Sequence, residues 1–351
     1  RNPNSVSCHS VDWSVSMLVS KFTMLFMIMM IPRGSAFCRF SFHGSQEVLQ
    51  GAGGVFRRIT TRKSLHATAA ETEDVVRDIS DKTDELLSSL PTNLKTWFEI
   101  SLPEGRCVGV KATNKGDCFP QNAVNETTKI DSDHWMRVIF HHDEIEFGMN
   151  IEAKQNRNSF WLGRLALRIA LDFPDYPILK DRHGRPELKD ELLASISHKE
   201  NKGVTIVSPH MIDDHNPDFV LAGVGIDLEM TSRPGKPSVA RRILTENERQ
   251  SLGNLPGVTA DEEVLLRFSL KEAIYKAAHP LLCQYVNLRE AEVTPHADGT
   301  ASCIWLLDSN ADRRIQKLTA HWTRLPDDEY FLTCASAYRK SNKKSDGLDE
   351  V

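Results

Sequence analysis

The sequence predicts a mixed α+β fold laid out as two halves of similar size. Two observations predict it. Short apolar or alternating runs of strand length recur from about residue 95 to residue 340, and two long segments with helical spacing of apolar residues interrupt them. No repeat of fixed short period is present. At 351 residues the chain has ample core for one large domain or two average ones.

The first strands are expected at Thr96–Leu102, Cys107–Val110 and Trp135–Phe140. Ser159–Phe173 is the first strong helix, with Phe160, Trp161, Leu165, Leu167, Ile169 and Leu171 supplying its apolar surface and Pro174 stopping it. A turn follows at 180–186, rich in Gly, Pro and charge. Strands come next at Leu193–Ser197 and Gly203–Val207, then an acidic loop at 213–218 and a strand at Val220–Met230. Thr245 with Glu248 three residues later has the capping-box pattern of a helix start. The longest helix is expected at Glu262–Ala278, ahead of Pro280. Strands at Cys303–Leu307, Thr319–Arg324 and Tyr330–Ser336 close the fold, before a loose polar tail at 341–351.

The front of the chain differs in composition. Residues 1–70 carry eight basic side chains against two acidic ones, so the remainder is clearly acidic although the whole chain is only at −5. A short apolar run, Met24–Ile31, follows Lys21. At 1.5 Å per residue its eight residues span about 12 Å as helix, too short for a bilayer core of roughly 30 Å. Small residues follow it, and then a Ser/Thr/Gly/Arg-rich stretch to Ala70 with one acid, Glu47. This is the pattern of a bipartite plastid-targeting leader. An ordinary cytoplasmic enzyme with a mistranslated upstream region is the alternative, and Met17 or Met24 could be the start. Residues 71–94 are expected as a linker or an amphipathic helix, 95–220 as the first half of the fold and 221–340 as the second. The seven cysteines are scattered, with no pair at zinc or redox spacing, and net charge gives no sign of nucleic-acid binding.

Four groups of residues could carry chemistry. In Gly223-Val224-Gly225-Ile226-Asp227-Leu228-Glu229, strand alternation would turn Ile226 and Leu228 to the core and Asp227 and Glu229 to the opposite face, about 7 Å apart. Two such carboxylates can grip a hard cation, or can simply be solvated. In Arg267-Phe268-Ser269-Leu270-Lys271-Glu272-Ala273-Ile274-Tyr275-Lys276, Glu272 and Lys276 share a helical face, as a surface ion pair or as a further metal ligand beside a phosphate-binding lysine. Ser197-His198 ends a strand. Arg157, Arg164 and Arg168, seven and four apart, share one helical face, and Arg185 stands in a turn; guanidinium groups bind phosphate oxygens well.

Taken together and in this order, the four groups resemble the 4'-phosphopantetheinyl transferase superfamily, in its large two-half type that serves siderophore and peptide-antibiotic synthesis. The Gly-Ile-Asp-Leu-Glu strand and the Phe-Ser-x-Lys-Glu-Ala-x-x-Lys helix carry the resemblance, with the Ser-Ile-Ser-His strand and the Gly163-Arg164-x-Ala166-x-Arg168 helix upstream. The resemblance implies two similar α/β halves forming a pseudo-dimer with the active site in the cleft between them, so that a monomer suffices. It implies Mg²⁺ on Asp227, Glu229 and Glu272, with Lys276 on the transferred phosphate and Glu272 or a water as proton acceptor. Coenzyme A, the co-substrate, would be bound by Ser197, His198, Arg185, Arg157 and Arg164, and an acyl or peptidyl carrier protein would receive the group. Lys199 after the histidine and the acidic loop 213–218 depart from the usual pattern. A different Mg²⁺-dependent phosphotransferase, or a non-catalytic carrier-binding homologue, are the alternatives.

Overall fold

The computed structural model describes residues 86–113, 119, 134–181, 184–189, 192–213, 216–233, 237–307, 314–325 and 329–341. All of them fall in the unit Ala69–Val351. The expected leader over 1–70, most of the expected linker over 71–94 and nearly all of the tail lie outside the described residues.

The first sheet is built from two hairpins. Strands β1 (Leu94–Leu102) and β2 (Gly105–Ala112) pair antiparallel, as do β3 (Leu192–Lys199) and β4 (Lys202–Pro209), and β2 pairs with β4 to give the order β1-β2-β4-β3. Between the hairpins lie helices α1 (His134–Ile139), α2 (His142–Met149) and α3 (Lys154–Ala170). Trp135–Phe140, expected as a strand, is helix α1 with one following residue. Its buried side chains Trp135, Met136, Ile139 and Phe140 fall at helical spacing, and a run this short does not separate the two periods. Helix α3 ends where Asp172 and Phe173 take positive φ, ahead of Pro174.

The second sheet contains β5 (Ile212–Asp213), β6 (Asn216–Met230), β9 (Lys317–Arg324) and β10 (Tyr330–Lys340), ordered β5-β6-β10-β9. Helices α4 (Pro237–Ile243), α5 (Glu246–Gln250) and α6 (Ala260–Leu282) and a separate hairpin, β7 (Ala291–Pro295) with β8 (Ala301–Trp305), lie between β6 and β9. The expected boundary between residues 220 and 221 falls inside β6, which already begins at Asn216, within the stretch expected as an acidic loop. Helix α6 runs past the expected stop at Pro280 and ends at Cys283, which takes φ 51°. A proline in the last turn removes only one backbone donor of the ladder, so the helix passes through it.

Each sheet, counted from its own first strand, has the order first, second, fourth, third, and each long helix lies between its second and third strands in sequence. Strand alternation sorts the side chains into layers. Val108, Val110 and Val207 pack with Trp161, Leu165 and Leu167 of α3. Cys107, Val204 and Ile206 of the first sheet meet Val224, Ile226, Leu228, Leu332 and Cys334 of the second. On the other face of the second sheet, Phe331, Ala335 and Ala337 pack against Leu266, Leu270, Ala273 and Ala277 of α6. Burial of these apolar faces, at about 25 cal/mol per Å², holds the layers together.

Candidate active site

Residues of the second sheet alternate as the sequence predicts. Ile226 and Leu228 enter the core between the sheets, while Asp227 and Glu229, 6% and 7% exposed, lie on the other face with α6. Glycine permits that approach. A Cβ on Gly225 would stand 1.9 Å from Ala273 O, and one on Gly223 would stand 2.1 Å from Ala277 O, so neither position admits a side chain while α6 stays in place.

Helix α6 presents Ser269, Glu272 and Lys276 to this strand at i, i+3 and i+7, one stripe of a helix. Lys276 Nζ donates to Asp227 Oδ1 at 2.9 Å and to Ile226 O at 2.8 Å. Ser269 Oγ donates to Asp227 Oδ2 at 2.9 Å and also hydrogen-bonds Thr333 Oγ1 on β10. From the first sheet, Ser197 Oγ donates to Asp227 Oδ1 at 2.8 Å, and Lys199 forms an ion pair with Glu229. Ser195 Oγ accepts from Ile226 N at 3.2 Å. The contacts 195–226, 197–227 and 199–229 advance in step, so β3 and β6 run side by side in the same direction.

The electrostatics follow from this crowding. Burial alone would raise the Asp227 pKa, but the charge of Lys276 and hydrogen bonds from Lys276, Ser197 and Ser269 outweigh it and hold the carboxyl below its usual range. Burial pushes Glu229 up to about 7, with the charges of Asp227 and Glu272 adding to the rise against Lys199. Burial likewise pushes Glu272 up to about 7, with Asp227 adding and Lys276 opposing. His198 is exposed at the end of β3, and the neighbouring atoms together with the positive charge of Lys276 shift its pKa downward, which leaves the imidazole neutral near pH 7.

Asp227, Glu229 and Glu272 therefore lie within electrostatic reach of one another. Three carboxylates, two of them with pKa values raised by burial and mutual repulsion, are a donor set that fits a hard divalent cation such as Mg²⁺. Their oxygens are not drawn within 4.8 Å of one another as a group among the described residues. Instead, Lys276 holds Asp227 and Lys199 holds Glu229.

The same seam continues into a cleft of about 220 Å³, lined by Asp181, Arg185, Leu193, Ala194, Val224 and Pro280 among others. It begins three residues before Asp227 on β6, about 10 Å along the strand. Arg185 lies in this cleft, where its Nε donates to Asp181 Oδ2 at 2.9 Å. The other two candidate arginines lie with α3. Arg157 donates through Nε and Nη2 to Ile151 O. Arg164 is buried over the Phe160 ring at 5.3 Å, its pKa lowered to about 10 chiefly by burial, with no described partner for Nε and Nη1. The structure thus gathers Ser197, His198, Asp227, Glu229, Glu272 and Lys276, sets Arg185 in the adjoining cleft, and leaves Arg157 and Arg164 with α3. Arg168, on the same helical face, is a buried ion pair with Glu144.

Ser269, Thr333 and Lys199 were not singled out as contacts in the sequence. Ser269 stands one residue inside the helix motif, and its spacing to Glu272 and Lys276 could have found it. Thr333 could not be found that way, because only the β6–β10 register sets it opposite Asp227. Lys271 of the same motif has a different task. It is buried, donating to Glu248 at 2.7 Å, Ile243 O at 2.9 Å and Leu288 O at 2.8 Å, so it ties α5 and the loop after α6 to the long helix.

Residues 223–335, from the acid-bearing strand into β10, match the family model of the 4'-phosphopantetheinyl transferase superfamily. Among solved structures, a holo-(acyl-carrier-protein) synthase from Bacillus anthracis str. Ames in complex with CoA (3',5'-ADP) is 25% identical. That alignment covers 34% of this chain and 98% of that one, with a TM-score of 0.28. A CoA complex of ACPS from Chronobacterium ammoniagenes is 22% identical, covering 34% of this chain and 96% of that one, with a TM-score of 0.25. No curated protein matches the chain. Among the described residues, no helix is long and apolar enough to cross a membrane.

Proposed function

We propose that this chain moves the 4'-phosphopantetheine group of coenzyme A onto a serine of an acyl or peptidyl carrier protein, releasing adenosine 3',5'-bisphosphate. The observation that carries the reading is Asp227. It is a buried carboxylate bonded at once by Ser197 of the first sheet and by Ser269 and Lys276 of α6, with Glu229 and Glu272 in electrostatic reach. The shared strand order of the two sheets supports a pseudo-dimeric pair of halves with coenzyme A along their seam.

Asp227, Glu229 and Glu272 would hold Mg²⁺, which supplies charge neutralisation on the pyrophosphate oxygens. Lys276 would leave Asp227 for a phosphate oxygen, and neutral His198 and Ser197 would hydrogen-bond the phosphates from β3. Arg185 fixes the nucleotide end from the cleft. The carrier serine attacks the β-phosphorus, a new P–O bond forms, and the P–O bond to the bisphosphate breaks. The serine's proton passes to Glu272 or to a water beside it. Composition alone supports a plastid-type leader over residues 1–70, which a fluorescent fusion of that segment would test.

The decisive experiment incubates the protein with coenzyme A, Mg²⁺ and a panel of apo carrier proteins, read by intact mass. Conversion of a carrier to its holo form with release of adenosine 3',5'-bisphosphate is expected, and it should vanish in Asp227→Ala and Glu272→Ala. Full activity in either variant would remove the basis of the assignment.

A further inference from the structure

Three donors of different chemistry meet where the first sheet's opening turn touches the second sheet. Glu104, in the β1–β2 turn, and Cys334, in β10, are each 2% exposed. His321 in β9 pairs directly with Cys334 in the strand register, with its side chain 28% exposed. Cys334 Sγ donates to Glu104 Oε2 at 3.0 Å, and His321 Nδ1 hydrogen-bonds the other oxygen of the same carboxylate. One ligand atom from each residue lies within 4.8 Å of the other two.

We propose that Glu104, His321 and Cys334 form a binding site for a zinc-class divalent ion that clamps the first sheet to the second. One thiolate, one imidazole nitrogen and one carboxylate oxygen form a donor set suited to zinc, whereas Mg²⁺ takes oxygen alone. Zinc bonds of about 2.0–2.3 Å in a tetrahedron put neighbouring ligand atoms about 3.5 Å apart, and these atoms already approach to 3.0 Å or within 4.8 Å without an ion. The charges also balance. On loading, the Cys334 thiol releases its proton to solvent; the carboxylate and thiolate then carry two negative charges, which a divalent ion cancels, so the loaded pocket holds no net charge. His321 is the partly exposed member of the three, so water can reach the group to complete the sphere.

This site is separate from the acidic one. Cys334 lies on the face of β10 that enters the core between the sheets, while its neighbour Thr333 lies on the opposite face beside Ser269 and Asp227. A clamp here would fix the first sheet's β1–β2 turn to the second sheet's central strand, and so steady the β3–β6 seam.

The test strips the full-length protein with a chelator, restores excess Mg²⁺ to cover the oxygen-only site, and titrates Co²⁺ and then Zn²⁺. A stoichiometric thiolate-to-cobalt absorption band is expected, abolished by zinc, together with a rise of about 5 °C or more in melting temperature at saturating zinc. Cys334→Ser should lose the band. His321→Gln should weaken binding by at least the roughly ten-fold that even an outer-shell change costs. Cys283→Ser, at the end of α6, should leave both readouts unchanged. Absence of the band in the wild type, its persistence in the Cys334 variant, or an unchanged affinity in the His321 variant would overturn the site and leave a hydrogen-bonded tether. Should the Cys334 variant not fold, the partly exposed His321 variant decides alone.

Discussion

Lys276 Nζ stands 2.9 Å from Asp227 Oδ1, so of the three site carboxylates the one held below its usual pKa is the one bonded by the ammonium of α6. The residue that would contact a phosphate is thus pre-positioned on the residue that would hold the cation. Lys276→Ala should lower the rate of apo-to-holo conversion by about 100-fold or more, the scale of losing one charge-stabilising donor. Steady-state kinetics on the carrier measures it, and a change of less than a few-fold would show that the lysine serves structure only.

Glu229 and Glu272 make stability depend on pH in an unusual direction. Their folded pKa values, about 7, lie above the ordinary 4.5, so the folded state binds protons more tightly than the unfolded one. The sign follows: without metal, stability falls as pH rises from about 4.5 to 7, because both groups must ionise in a buried, mutually repelling site. Asp227, held low, acts oppositely and only at more acidic pH. Melting curves across this range should decline with pH, and saturating Mg²⁺ should flatten the decline.

Lys271 and Lys276 stand five residues apart in one motif and should separate cleanly. Lys271→Ala leaves Glu248 buried without its partner, a loss of about 3–5 kcal/mol for a broken buried pair. Urea denaturation should show that loss for Lys271→Ala. Lys276→Ala, whose side chain is 28% exposed, should show far less.

Gly225→Ala places a methyl 1.9 Å from Ala273 O. The strand and α6 must part, which should cost about 1–3 kcal/mol or more and remove Glu272 and Lys276 from Asp227. Reduced stability by denaturant titration with undetectable transfer is expected. Wild-type stability would mean that α6 does not pack as closely as described.

Arg185→Ala should raise KM for coenzyme A while leaving kcat nearly unchanged, because Arg185 lies in the cleft and not among the carboxylates. Its pair with Asp181 is partly exposed and contributes little to stability, so the effect should be confined to binding. An unchanged KM would move the nucleotide end out of this cleft.

Much of this was legible in the chain. Alternation placed Ile226 and Leu228 inward and Asp227 and Glu229 together, because a strand has a period of two whatever its neighbours. The 3.6-residue period aligned Glu272 with Lys276 on α6 for a similar reason, and the Thr245–Glu248 capping box formed as its spacing predicts. Short or interrupted segments were not legible. Trp135–Phe140 fits either period over so few residues, Pro280 reads as a stop although the helix continues to Leu282, and the five residues of β7 carry too little pattern to stand out.

The sequence by itself determined the local periods, and with them which side chains share a face of β6 and which share a face of α6. Only the tertiary structure decided which faces meet: that Ser197, 30 residues away, bonds Asp227, that Thr333 lies opposite it, and that Arg164 is buried beside Phe160. Local periods arise from backbone geometry within a few residues. The meeting of faces depends on sheet order, register and the absent side chains of Gly223 and Gly225, which act across the whole chain.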